Sequence, residues 1–338
     1  KLAALIAEKI GEDPTPYREE ADKILKALNT RLWLPERGHW AEFQDFMGHR
    51  RLHEDAAVWT IYHALDSDVA DPFQAYLATS YIDREIPHIP VVTSDDVFTA
   101  GTAALPVNAV SYARWQKQLK EAGATINAGE YATVATTDWM PYSWSINNVA
   151  FAEVMHTSLA YFQAGRREAG FKLLKSSVLD GMYLGFYDAA RGECYRDFGD
   201  PIGVASRTLI QGLYGILPDA LNGRLLIKPG FPTEWEYASL HTPDIDFDFK
   251  AGEAVAGKYS SRDRSLYTVT HHLSAVRNLE LQFPARRSSV ARLTVNGQEA
   301  AWKLVENSVG RPMLSVSVPA SSGEEITIDV NWEGELLT

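Results

Sequence analysis

The spacing of apolar residues changes character once along this chain of 338 residues, near residue 222, and that change limits the possible folds most. Before it, apolar residues recur at helical spacing; after it, short runs alternate apolar and polar between turn residues. LAALIAEKI is followed by a break at Gly11–Pro16 and by YREEADKILKALNTRLW, in which Ala21, Ile24, Leu25 and Leu28 form one stripe. AAVWTIYHALD (56–66) and DPFQAYLATSYIDREI (71–86) read as the next two helices, with Asp71 as N-cap and Pro72 at the first helical position. A further helix is expected over 107–123, stopped by Gly123.

The clearest helix spans 145–165: Val149, Ala152, Met155, Leu159 and Phe162 share a face, Ser145 caps the start and Gly165 the end. REAGFKLLKSSVLDGMY follows as its antiparallel partner, and 204–216 as the last helix of roughly eight. Paired helices fit a solenoid or a closed toroid; no fixed-period repeat is visible, which weighs against the solenoid. Past Leu221 come LLIKPGF, IDFDFKA, AVAGKYSS, SLYTVTHHL, NLELQFPA, VARLTVNG, EAAWKLVE, MLSVSVPA and EITIDVNWEG. Asn296–Gly297 between two of these runs predicts a hairpin, and strands at this spacing predict a β-sandwich. The expected domains are 1–222, helical, and 223–338, β.

The formal net charge of −12 argues against a nucleic-acid partner, which needs clustered Lys and Arg, and no apolar run is long enough for a membrane span. The single Cys194 excludes an internal disulfide framework. The chain starts at Lys1 without a signal-peptide pattern, and we read it as a fragment or processed product.

Titratable groups concentrate in Leu34–Glu54, which holds Glu36, Glu42, Asp45, His39, His49, His53, Arg37, Arg50, Arg51 and Trp40. Neither helical nor strand period runs through it, so it reads as an elaborated loop or short hairpin, the kind of segment that carries sites on a rigid scaffold. Three more stretches stand out downstream: Pro141-Tyr142-Ser143-Trp144-Ser145, Tyr195-Arg196-Asp197-Phe198-Gly199-Asp200, and the run from Leu226 to Trp235.

Together with Ala41-Glu42-Phe43-Gln44-Asp45 and Arg51-Leu52-His53, this order resembles the six-hairpin glycoside hydrolases, (α/α)6 barrels with a C-terminal antiparallel β-sandwich, and among them the α-L-fucosidase branch. There the counterparts read Gln-Glu-Trp…Glu-Asp then His-Arg-His, Gly-Trp-Ser-x-Ala-Trp, Gln-Ile-Asp-Gly-Asn-Phe-Gly, and Leu-Leu-Pro-Ala-Leu-Pro-x-x-Trp. No key tetrapeptide is identical, so the sugar specificity does not carry over, and an uncharacterised relative fits better. The resemblance implies a multidomain α plus β chain whose toroid is incomplete at the N-terminus, since twelve helices are needed. The first hairpins are then expected before Lys1 or in a separate chain of the same protein.

Glycoside hydrolysis needs two carboxyl groups flanking the scissile bond. By the resemblance Asp197 is the first choice for a general base and Asp200 the second, although Asp200-Pro201 is also a good helix entry. Glu42 matches the motif glutamate; the family's general acid falls upstream of Lys1, with Glu36, Glu42 and Asp45 as stand-ins. Trp40, Trp139 and Trp144 offer stacking faces, and Asp138, Asn147, His39 and His53 offer hydroxyl partners. The histidines lack metal-ligand spacing, and no dinucleotide, Walker or nucleophile-elbow motif occurs, so no metal or cofactor is expected. The expected function is an inverting glycoside hydrolase on oligo- or polysaccharide, in a periplasmic or secreted setting. Arg196, Ser206 and Arg207 keep open a phosphorylase on the same fold, and the aromatics keep open a non-catalytic glycan binder.

Overall fold

The computed structural model describes residues 1–90, 131–137, 149–184, 200–252, 254–255, 258–259 and 263–337. The chain divides into two units, Lys1–Leu209 and Ile210–Thr338. The first contains helices α1 (Leu2–Ile10), α2 (Thr15–Ala27), α3 (Val58–Asp66), α4 (Pro72–Glu85), α5 (Phe151–Gln163), α6 (Arg167–Leu184) and α7 (Asp200–Arg207).

Local chemistry sets several of these boundaries. Gly11 ends α1 in the left-handed conformation (φ 80°), which a residue without Cβ adopts freely. Asp71 accepts from the Gln74 backbone N–H at 2.8 Å while Gln74 Oε1 accepts from the Asp71 N–H at 3.1 Å, a reciprocal cap with Pro72 next to it. Gly165 (φ 75°) turns the chain between α5 and α6. Val154, Met155, Leu159 and Phe162 of α5 are buried, as are Ile61 and Leu65 of α3, Ala78 and Ile82 of α4, and Leu173 and Leu174 of α6.

The expected (α/α)6 toroid is overturned. Among the described residues there are seven α-helices and no toroid of helical hairpins. Between the helices the chain forms short antiparallel strand pairs instead: Trp33–Leu34 with His39–Trp40, Phe43–Gln44 with Leu52–His53, and His88–Pro90 with Ala132–Val134. Among the described residues no side chain of the stripe read along α2 is fully buried: Ala21, Leu25 and Leu28 are partly covered and Ile24 is 52% exposed. The helix expected over 204–216 leaves the α form after Arg207, becomes π-helical over Thr208–Leu213 and gives way to a strand at Ile216–Asp219. The helix expected over 107–123 and the Ser145 cap lie outside the described residues.

The second unit holds two larger sheets. One has six strands, ordered Gln298–Glu299, Arg287–Val295, Glu325–Leu336, Arg264–His271, Ile245–Lys250 and Tyr237–His241, all antiparallel. The other has five: Lys303–Leu304, Met313–Pro319, Asn278–Pro284, Arg224–Ile227 and Ile216–Asp219. The expected antiparallel β-sandwich needs correction here, because Asn278–Pro284 pairs with Arg224–Ile227 in parallel. That pairing follows from a long excursion of the chain between the two strands, and a parallel pair needs such a crossover.

Alternation works as expected along Ile245–Lys250, where Ile245, Phe247 and Phe249 are buried and Asp246 and Asp248 are partly exposed. Phe249 stacks on Tyr267 (5.1 Å between centroids), Tyr267 meets Phe283 of the other sheet (5.3 Å), and Phe283 meets Trp332 edge-on (6.1 Å). Trp332 Nε1 donates to buried Ser265 Oγ at 3.0 Å. Asn296 (φ 49°) and Gly297 (φ 80°) form the two-residue turn between Arg287–Val295 and Gln298–Glu299, both left-handed as that hairpin requires.

Candidate active site

The stretch rich in titratable groups folds as two strand pairs in front of α3, and its acids have separate tasks. Glu42 is half-buried and reaches the first turn of α3. Its Oε2 accepts from the Ala57 N–H (3.2 Å) and from Thr60 Oγ1, and its Oε1 from Trp59 Nε1 at 2.5 Å. A carboxylate receiving three donors at a helix N-terminus works as a cap from outside the helix. Asp45 lies one strand pair further out. Its Oδ1 is 2.8 Å from His53 Nε2 and its Oδ2 accepts from the Arg51 N–H at 3.2 Å, while Phe43 stacks on the His53 ring at 4.0 Å. Phe46, at the hairpin tip, is 92% exposed. Asp45, His53 and Phe43 therefore form one small polar–aromatic ledge.

The other sequence candidates from this stretch are dispersed. Trp40 is buried, 4.6 Å from the Trp33 ring, and its Nε1 donates to Asn29 Oδ1 at 3.1 Å. His39 is buried against Tyr81 (3.9 Å between centroids) and donates from Nδ1 to the Trp40 carbonyl at 2.9 Å. Burial holds its pKa below the usual histidine range. Glu36 is exposed. Arg37 pairs with Asp55 (2.9 Å) and Glu54 (3.5 Å). Arg207 grips Asp66 at the far end of α3 with both terminal nitrogens, at 2.9 and 2.5 Å. Burial works against ionisation of Asp66, but the bonds from Arg207 and Gln163 win and hold its carboxyl below the ordinary range. Asp138, Trp139, Trp144, Asn147, Arg196 and Asp197 lie outside the described residues, and Asp200 is the first residue of α7.

Helices α3 and α5 lie side by side with their last turns joined by Gln163 Nε2 donating to Asp66 Oδ1 at 2.9 Å. Their first turns therefore share one end, where the Val58 N–H also donates to the Thr136 carbonyl at 2.9 Å. Sequence reasoning passed over Glu153 on the first turn of α5. Burial lifts its carboxyl from 4.5 to about 7, and its buried Oε2 has no hydrogen-bond partner among the described residues. Beside it the Tyr62 ring packs on His156 (4.7 Å) and His63 (4.6 Å), and burial, with Arg207, keeps the His156 pKa low. A glutamate in a helix's first turn normally reads as a solvated partner of the helix dipole, so the sequence offered no signal of this burial. Among the described residues no three His, Cys, Asp or Glu side chains gather as metal ligands, and no helix is long and apolar enough to cross a membrane.

No family model matches the chain, and no curated protein matches it. Its fold is nonetheless like that of a glycoside hydrolase. One similar solved structure is an α-L-rhamnosidase from Dictyoglumus thermophilum, with 10% identity and a TM-score of 0.51, over 97% of this chain and 30% of that chain. The chain thus spans under a third of that enzyme's length, and the likeness is one of fold.

Proposed function

We propose that the chain carries out glycoside hydrolysis on an oligo- or polysaccharide, with inversion, using Asp197 as general base and Asp200 as the second choice. The observation that carries this reading is the fold shared with a glycosidase along nearly the whole chain. The ledge of Phe43, Asp45 and His53 supports it, since a flat apolar face beside polar groups suits a sugar ring. Glu36, Asp138, Trp139, Trp144 and Asn147 are the further sugar contacts in this reading. In an inverting site the two working carboxyls stand roughly 6.5–9.5 Å apart, leaving room for the attacking water.

The test is turnover of a panel of aryl glycosides and natural glycans, led by α-L-rhamnosides because of the neighbour's activity, by the full-length protein. Asp197→Asn is expected to lower the rate about 10²–10⁴-fold with the melting temperature unchanged, as loss of a general base does. Asp200→Asn is expected to lose less. If both variants cleave a good substrate at the wild-type rate, neither is the base; binding of glycans without any cleavage would make the protein a glycan binder.

A further inference from the structure

Glu153 is an expensive residue for a helix to carry where it stands. A carboxyl in the first turn of a helix is favoured as the anion. Burial overrides that preference here, and the side chain is held half-covered with Oε2 unpartnered among the described residues. A residue serving only to fill this volume could be Gln or Leu at lower electrostatic cost.

Among the described residues no cation is shown bonded to it. On α3, Asp66 is taken by Arg207 of α7 and by Gln163. Asp83 of α4 is bonded by Arg166 and by Tyr161 at 2.5 Å. On α6, Arg167 stands 3.7 Å from Glu168, and Lys175 donates to Tyr131 at 2.9 Å. What faces Glu153 is Tyr62, whose own pKa is raised by burial and by the nearby Glu153 carboxylate. His63 and His156 complete the ring cluster around Tyr62, with 6.3 Å between their centroids.

Glu42, in contrast, receives three donors and is built to stay an acceptor. The first turns of α3 and α5 thus present one carboxyl fixed as acceptor and one placed to hold a proton.

We propose that Glu153 is the proton donor in glycosidic cleavage, an inference that rests on the hydrolase reading above. In the step, the Glu153 carboxyl proton passes to the glycosidic oxygen as the bond from that oxygen to the anomeric carbon breaks. A water oxygen forms the new bond to that carbon and its proton passes to the base carboxylate. Exchange with solvent then returns both carboxyls to their starting forms, and the sum is glycoside plus water giving two free hydroxyl products.

The experiment compares dinitrophenyl and methyl glycosides of whichever sugar the panel shows to be cleaved, using wild type and Glu153→Gln in the full-length protein. Cleavage of the activated substrate by wild type tests the hydrolase reading alone; no cleavage of any substrate defeats that reading and the donor role with it. The donor role predicts that Glu153→Gln loses about 10²–10⁴-fold on the methyl glycoside, whose leaving group needs a proton, and little on the dinitrophenyl glycoside. Equal rates for both proteins on the methyl glycoside overturn it. A second readout needs no turnover. Because the folded carboxyl titrates at about 7 and the unfolded one near 4.5, the folded state binds the extra proton between those values, so stability falls as pH rises through that window. Glu153→Gln should abolish that component, and an unchanged pH profile of stability overturns the proposal. Should the variant not fold, the wild-type kcat/KM on the methyl glycoside must fall tenfold per pH unit above about 7; a flat profile to pH 9 refutes the donor.

Discussion

Each unit holds a crowded buried cluster, and the two clusters gather different kinds of side chain. In the β unit the crowded point is aromatic and dry: Phe247, Phe249, Tyr267, Phe283 and Trp332, with the one indole N–H satisfied by Ser265. In the helical unit it is polar: Glu42 under α3, His39 under Tyr81, and Glu153 and His156 beside Tyr62. The first arrangement gives stability by removing apolar area from water. The second keeps ionisable groups in partly buried positions, at some cost in stability. Exposed apolar side chains do not follow this division: Leu2, Ile10, Phe46 and Met47 of the helical unit and Tyr237 of the β unit are all more than 60% exposed.

Three substitutions would break or sharpen that contrast. The largest effect should come from Phe283→Ala, which empties a fully buried position between the two sheets; about 3–5 kcal/mol is expected, read as a shift of the denaturation midpoint. A loss below about 1 kcal/mol would show that the aromatic core can collapse around the hole. Glu42→Ala should follow with about 1–3 kcal/mol, because it strands the donors of Ala57, Trp59 and Thr60. Amide exchange at the start of α3 should rise while the β unit is unaffected. If Glu42→Ala matched Phe283→Ala, the helical unit would depend on its polar anchors as much as the β unit does on its rings. Smallest is Asp71→Ala, about 0.5–2 kcal/mol, since only the cap of α4 is lost. Circular dichroism and a denaturant titration would measure it.

The features legible in the sequence were those decided by neighbouring residues. Asp71-Pro72 forms its cap within four residues, Asn296–Gly297 its turn within two, and Ile245–Lys250 its alternation within six. Pairings between distant segments were not legible. Nothing in Asn278–Pro284 announces a parallel partner at Arg224–Ile227, and nothing in the α2 stripe announces that none of it will be fully buried among the described residues. The site divides the same way. The density of acids and histidines in Leu34–Glu54 was visible in the sequence, but not which carboxyl would cap a helix and which would pair with a histidine. Glu153 escaped because its surroundings are supplied by α3, some ninety residues earlier in the chain, and no local pattern encodes them.

The position of Glu325–Leu336 in its sheet has a consequence for how the protein is made. That strand lies between Arg264–His271 and Arg287–Val295, both of which leave the ribosome before it. Until it arrives, each presents a row of unpaired backbone groups and half of an apolar face to its surroundings. Roughly forty residues separate the end of the second waiting strand from the end of the third, about 2–8 s at ordinary synthesis rates. Over that interval a chaperone or a slow stretch of codons would decide between closure and aggregation.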